Sequence, residues 1–255
     1  EKACLKFRMK TQNHNLKTSD HVHIKLVEYS PRHTSDEFCW IVVPGFLQYS
    51  QSQTFIDLCL DISSSLKANV FCIDLRGTGE SEGRFSFGES EYLDVAAAVH
   101  FAKQKFKKVK LLGFSLGAYS SLRTHCASSE LADELYLVSC PSSVTNILWQ
   151  GHGLKHCLSL IYQKQHFQKH RNFGLRWGNP FTSKPDAEKF AAAAQVPTHF
   201  LAGSKDFLVP PTMSSKIFGA IRSGAKTWRV IEGGHHAELL YLSHPKDFKD
   251  WLVSP

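Results

Sequence analysis

Short apolar runs alternate along this chain with longer stretches in which apolar residues return at helical spacing. The runs at 23–29, 38–43, 69–74, 108–113, 134–140, 198–203 and 227–231 are rich in β-branched and aromatic residues and predict strands. Ile41-Val42-Val43 and Val109-Lys110-Leu111-Leu112 are apolar almost throughout, the pattern of strands buried on both faces of a parallel sheet. Between them, 54–66, 89–103 and 116–127 carry apolar residues three and four apart and predict helices. This rhythm predicts an α/β fold, a mostly parallel sheet with helices on both faces. It fails from Ser142 to about Asp186, in a stretch rich in His, Trp and Phe. A long irregular stretch inside a compact domain is usually functional, so 142–190 is expected to form a small cap inserted in a single domain spanning 1–255.

Composition changes this picture little. At 255 residues and 42% hydrophobic, the chain can bury a large core without staples, and its charge is too mixed for a disordered chain. No apolar run approaches the ~20 residues needed to span a bilayer. The seven cysteines (Cys4, Cys39, Cys59, Cys72, Cys126, Cys140, Cys157) include no CxxC pair, so metal-ligand and redox spacing are absent. Cys39, Cys72 and Cys140 fall in apolar runs, where a thiol acts as a small hydrophobe. Reduced, structural cysteines favour a reducing compartment, and a cytoplasmic location is expected. With no phosphate-cradling glycine loop, dinucleotide fingerprint or metal cluster, the expected cofactor is none.

Gly113-Phe114-Ser115-Leu116-Gly117 is the sharpest chemical signal. It lies between an apolar strand and a helix, where flanking glycines allow a tight turn that lifts the serine hydroxyl above the sheet. The helix start behind it offers free N–H groups to a developing oxyanion. A serine nucleophile needs a base, and the base needs an acid to orient it. Asp206 follows the strand at 198–203, and His235 and His236 follow the next strand, giving the chain order Ser…Asp…His.

With these residues in place, the chain resembles the serine hydrolases of the α/β-hydrolase superfamily (esterases, lipases and thioesterases) over most of its length. The resemblance also rests on Asp74-Leu75-Arg76-Gly77-Thr78-Gly79-Glu80-Ser81, similar to the turn after the fourth strand in that family, and on Val43-Pro44-Gly45-Phe46 after the third. It implies a catalytic triad of Ser115, His236 and Asp206, since relatives read Gly-small-x-His at the base. His235 is then expected to point away or to cap the following helix. Some relatives place the acid one strand earlier, but no Asp or Glu occurs between Glu134 and Asp186. The amides of Phe46 and Leu116 are implied as the oxyanion hole, with Leu47 as the alternative donor. Pro44 stands where relatives usually carry His. Asp74 and Arg76 are implied to be structural. Ser115 at the elbow, rather than the Asp of dehalogenases and epoxide hydrolases or the Cys of dienelactone hydrolases, points to acyl transfer.

The net charge is +7. From Leu135 to Pro185 the chain carries Lys155, Lys164, Lys169, Arg171, Arg176 and Lys184 and no acid, interleaved with aromatic residues. Trp149, Phe173 and Trp177 are expected to contact substrate. A cationic, aromatic cap would suit an acyl chain on an anionic head group or carrier, such as acyl-CoA, acyl carrier protein, a phospholipid or an acidic polymer. No recognised module supports nucleic-acid binding. Three functions fit the residues: an ester hydrolase, an acyl thioesterase or acyltransferase, and a non-enzymatic ligand-binding scaffold of the same fold.

Overall fold

The computed structural model of the chain describes residues 9–31, 36–128, 131–149 (148 and 149 by backbone alone), 155, 159, 176–179, 182 and 184–255. Its eight strands are β1 (Met9–Lys17), β2 (His23–Pro31), β3 (Phe38–Val43), β4 (Asn69–Ile73), β5 (Lys108–Phe114), β6 (Glu134–Val138), β7 (Thr198–Gly203) and β8 (Lys226–Ile231). They form one sheet in the order β1-β2-β4-β3-β5-β6-β7-β8. β1 and β2 run antiparallel to each other and β2 runs antiparallel to β4, while every pairing from β4 through β8 is parallel. Among the described residues the helices are α1 (Gln53–Leu66), α2 (Glu91–Lys103), α3 (Leu116–Ala127), α4 (Val144–Trp149), α5 (Glu188–Ala191), α6 (Pro211–Ala220), α7 (Glu238–Ser243) and α8 (Pro245–Val253).

The pleat sends alternate side chains to opposite faces and so divides the core in two. Ile41, Val43, Leu111, Leu135, Leu137 and Phe200 pack with residues of α2, α3, α5 and α6 on one face. Trp40, Val42, Leu112, Phe114, Tyr136 and Leu201 pack with α1, α7 and α8 on the other. The sequence reading misses β1, whose Met9–Lys17 segment is polar and largely exposed; only its nine-residue pairing with β2 makes it a strand. β6 stops at Val138 rather than at Cys140 because Ser139 turns to φ 48°. Among the described residues no helix is long and apolar enough to cross a membrane. Cys39, Cys59, Cys72 and Cys140 are buried free thiols, and Cys126 is exposed.

The turn after β4 is a structural knot. The buried Asp74 carboxylate accepts the N–H groups of Ser50 (2.7 Å) and Glu80 (2.9 Å). Gly79 sits at φ 51°, and a Cβ there would fall 2.1 Å from Asp74 Oδ2. Arg76 donates from Nε and Nη2 to Asp94 and from Nη1 and Nη2 to Asp20, at 2.7–3.0 Å. Hydrogen bonds from Arg76 hold the Asp20 carboxyl down at about 2. A depressed carboxyl contributes stability above the unfolded-state value near 3.9 and loses it as pH falls towards the folded value. We therefore expect acid to weaken the wild-type protein between about pH 4 and pH 2 more than it weakens Asp20→Asn. Urea midpoints of both proteins across that range check this; parallel curves would show that the pair adds nothing in acid.

Candidate active site

Ser115 occupies the turn between β5 and α3 at φ 52°, ψ −115°, a conformation an L-residue adopts only under strain, at a cost of order 1–3 kcal/mol. The flanking glycines make it feasible. A Cβ on Gly113 would fall 2.6 Å from the Ala118 Cα, and one on Gly117 would fall 2.2 Å from the Val43 carbonyl oxygen. Leu116 opens α3, so its N–H has no partner within the helix.

Asp206 and His236 arrive on two loops stitched to each other. Ser204 N–H donates to Ile231 O (3.0 Å), Lys205 N–H to Gly234 O (2.9 Å), and Gly233 N–H to Ser204 Oγ (2.9 Å). Gly203 and Gly234 permit this approach, since a Cβ on Gly203 would fall 2.4 Å from Gly234 O. Asp206 is buried. Its Oδ1 accepts the N–H groups of Leu208 (3.1 Å) and Val209 (2.8 Å), which leaves Oδ2 to face His236.

The three side chains form one line of hydrogen-bond contacts. Asp206 Oδ2 lies 2.8 Å from His236 Nδ1, and His236 Nε2 lies 3.0 Å from Ser115 Oγ. With Nδ1 holding its proton towards the carboxylate, Nε2 is free to accept from the hydroxyl. His235 is exposed and lines the adjoining cavity. It does not cap the helix, because α7 has no side-chain cap and begins after Ala237.

That cavity measures about 260 Å³. Apolar side chains dominate it: Phe46, Phe87, Val144, Ile147, Leu208 and Leu239 are among those that line it together with Ser115 and His236. Phe207 (61% exposed) and Leu239 (45%) stand at its rim. Gln48 Nε2 donates to Glu238 Oε1 at 2.5 Å across it. The loop carrying Phe46 passes close to the nucleophile turn at Gly45, where a Cβ would fall 3.0 Å from the Phe114 carbonyl oxygen and 3.3 Å from the Ser115 Cβ. Leu47 is buried and is not among the lining residues described.

The expected substrate contacts fare differently. Trp177 does not line the cavity. It packs behind the wall, with ring centroids 5.4 Å from Phe87 and 6.1 Å from Phe46, because its backbone bridges to Phe85. The Trp149 side chain and all of Phe173 lie outside the described residues, as do Lys164, Lys169 and Arg171. Lys155 is exposed. Arg176 is exposed and donates to the carbonyls of Ser81 and Gly83, and the buried Lys184 donates to Thr182. The sequence reading missed Gln48, Phe87, Val144, Ile147, Phe207, Leu208, Glu238 and Leu239. Phe207-Leu208 directly after Asp206 and Glu238-Leu239 just after His236 were the available signal, since they sit beside those two residues in the chain.

Comparison with known proteins settles the family. A sequence model of the alpha/beta hydrolase family matches residues 40–251. The chain belongs to that family. An esterase of Pyrococcus furiosus superposes with a TM-score of 0.77 at 19% identity, over 99% of this chain and 91% of that one. An alpha-beta serine hydrolase homologue from Coxiella burnetii gives 0.62 at 17%, over 95% of each chain. An a/b serine hydrolase without lid from Xanthomonas campestris gives 0.63 at 14%, over 96% and 93%. At these identities the likeness establishes the fold, and for this family member the chemistry must come from its own site.

Proposed function

We propose that the protein is a serine hydrolase that cleaves a carboxylic ester through an acyl-enzyme. The observation that carries this reading is the contact line Ser115 Oγ–His236–Asp206, set on a strained turn at the floor of an apolar cavity. His236 Nε2 takes the hydroxyl proton as Ser115 Oγ attacks the ester carbon, and Asp206 holds the resulting imidazolium. The amides of Phe46 and Leu116 receive the oxyanion, a contribution of about 3–4 kcal/mol per donor in comparable sites. Collapse breaks the C–O bond, and the alkoxide leaves with the proton from His236. Water then attacks the acyl-enzyme with His236 as base, the Ser115 oxygen leaves and regains its proton, and the acid departs. The apolar lining takes the acyl chain, and segment 142–190, opening with α4, serves as the cap.

An uncharged ester is favoured over an acyl-CoA or carrier-borne thioester. Among the described residues lining the cavity there is no Lys or Arg, and the one carboxylate is Glu238. Among the described lining residues an anionic donor would meet that carboxylate with no Lys or Arg beside it. Labelling with a fluorophosphonate probe, followed by turnover of p-nitrophenyl esters against acyl-CoA of matched chain length, tests the reading. Faster turnover of the thioesters would move the assignment to a thioesterase, and no labelling would leave a binding scaffold. We further expect Lys155→Glu to change neutral-ester kcat/KM less than about twofold at any ionic strength, because exposed charges steer only charged partners. A large, salt-sensitive loss in acyl-CoA turnover by the same variant would restore the anionic carrier as substrate.

A further inference from the structure

We infer that Ser139 is a positioning residue for His236, acting through the buried Ala237 N–H; this rests on the serine-hydrolase reading. Ser139 follows β6, is fully buried, and belongs to none of the three reacting groups. Yet the end of β6 is bonded to every segment that carries one. The Ser115 N–H donates to the Val138 carbonyl at 2.8 Å. The Ser139 N–H donates to Leu201 O of β7, the strand leading to Asp206, at 2.8 Å. The Ser139 Oγ accepts the N–H of Ala237, the residue after His236, at 3.0 Å.

The third bond differs in kind from the first two. Backbone carbonyls of a sheet supply the first two whatever the side chain, but the third exists only because residue 139 carries a hydroxyl. Ala237 is fully buried at φ 50°, ψ −118°, a strained conformation close to that of Ser115 itself. Such a turn persists only where its surroundings hold it. Ser139 is itself at φ 48°. Removing its hydroxyl leaves a buried N–H without an acceptor, and a buried donor left unpaired is costly. The turn then relaxes by rotating Ala237, and the covalently attached His236 moves with it, off the 3.0 Å contact with Ser115 Oγ. The stitches between 204–205 and 231–234 lie before His236. The bonds from Leu239 and Leu240 N–H to the His236 and Ala237 carbonyls (3.0 and 3.1 Å) belong to the helix start itself, so Ser139 Oγ is what ties the turn to the sheet. Ser139 thus sets the distance between base and nucleophile from the strand that also anchors the nucleophile.

The test measures p-nitrophenyl butyrate hydrolysis, fluorophosphonate labelling rate and melting temperature for the full chain and three variants. Ser139→Ala should lower kcat about 10- to 100-fold with KM nearly unchanged, as expected for an ångström-scale misplacement of a reacting group. The labelling rate should fall in parallel, and the acidic limb of the kcat/KM profile, which reports the base, should shift. Ser139→Gly should melt higher than Ser139→Ala, because glycine tolerates positive φ, yet stay equally slow. Ser63→Ala, which loses an equally buried hydroxyl bonded to Ala68 O, should melt lower than wild type and keep its kcat. If Ser139→Ala does not fold, the glycine variant carries the same test. Full kcat in either Ser139 variant, or recovery of rate together with stability in Ser139→Gly, overturns the inference alone. A wild-type chain that neither labels nor hydrolyses the ester overturns the serine-hydrolase reading, and this inference with it.

Discussion

Ser115→Ala should abolish turnover while leaving the protein folded. The side chain has one hydrogen-bond contact in the line described, to His236 Nε2, and projects into a cavity rather than into packed core. Alanine keeps the Cβ, so the strain at φ 52° is unchanged and no new cavity forms. The loss in kcat should be about 10⁶-fold, the scale seen when a serine protease loses its nucleophile. Ser115→Gly should be equally inactive but should melt higher than Ser115→Ala, since only glycine adopts positive φ without strain. Ester hydrolysis, probe labelling and melting curves read all three outcomes. Activity within tenfold of wild type in Ser115→Ala would sink the mechanism. A lower melting temperature for the glycine variant would show instead that the turn stores no strain.

What the sequence discloses divides along physical lines. Buried parallel strands such as Phe38–Val43 and Lys108–Phe114 are legible because the fold requires an uninterrupted apolar run there. The elbow is legible because backbone crowding at Gly113 and Gly117 leaves little choice of residue. Asp206 and His236 are visible through chain order and their places after strands. Met9–Lys17 is not visible, because an exposed edge strand owes its form to its neighbour rather than to its own residues. The cavity is largely illegible for another reason: Gln48, Val144, Leu208 and Leu239 come from four separate loops or helices, and only folding makes them neighbours. Ser139 is hidden most deeply. Its acceptor role depends on a positive φ at 139 and another at 237, and neither residue is a glycine to mark it. Counting basic residues along the segment does not show what each one binds: Arg176 donates to the carbonyls of Ser81 and Gly83, and Lys184 to Thr182.

Asp206→Asn should cut kcat by about 10⁴ with little change in KM, as in serine proteases with the same replacement. The geometry gives the reason. Oδ1 accepts two backbone N–H groups, from Leu208 and Val209, and only an oxygen can accept them. The asparagine carbonyl must therefore take that place, and its NH₂ must turn towards His236 Nδ1. A donor facing Nδ1 requires Nδ1 to be the acceptor, so the ring proton moves to Nε2. Nε2–H then confronts Ser115 Oγ and can no longer accept its proton. The tautomer of His236, read by ¹⁵N chemical shifts, should switch with the substitution while the Ser115–His236 separation stays near its present 3.0 Å. Because the acid acts only through the base, Asp206→Asn should cost little further rate in a His236→Ala background. Near-normal activity in the single variant would mean that another carboxylate orients the base, and Glu238, two residues beyond it, would be the first to remove.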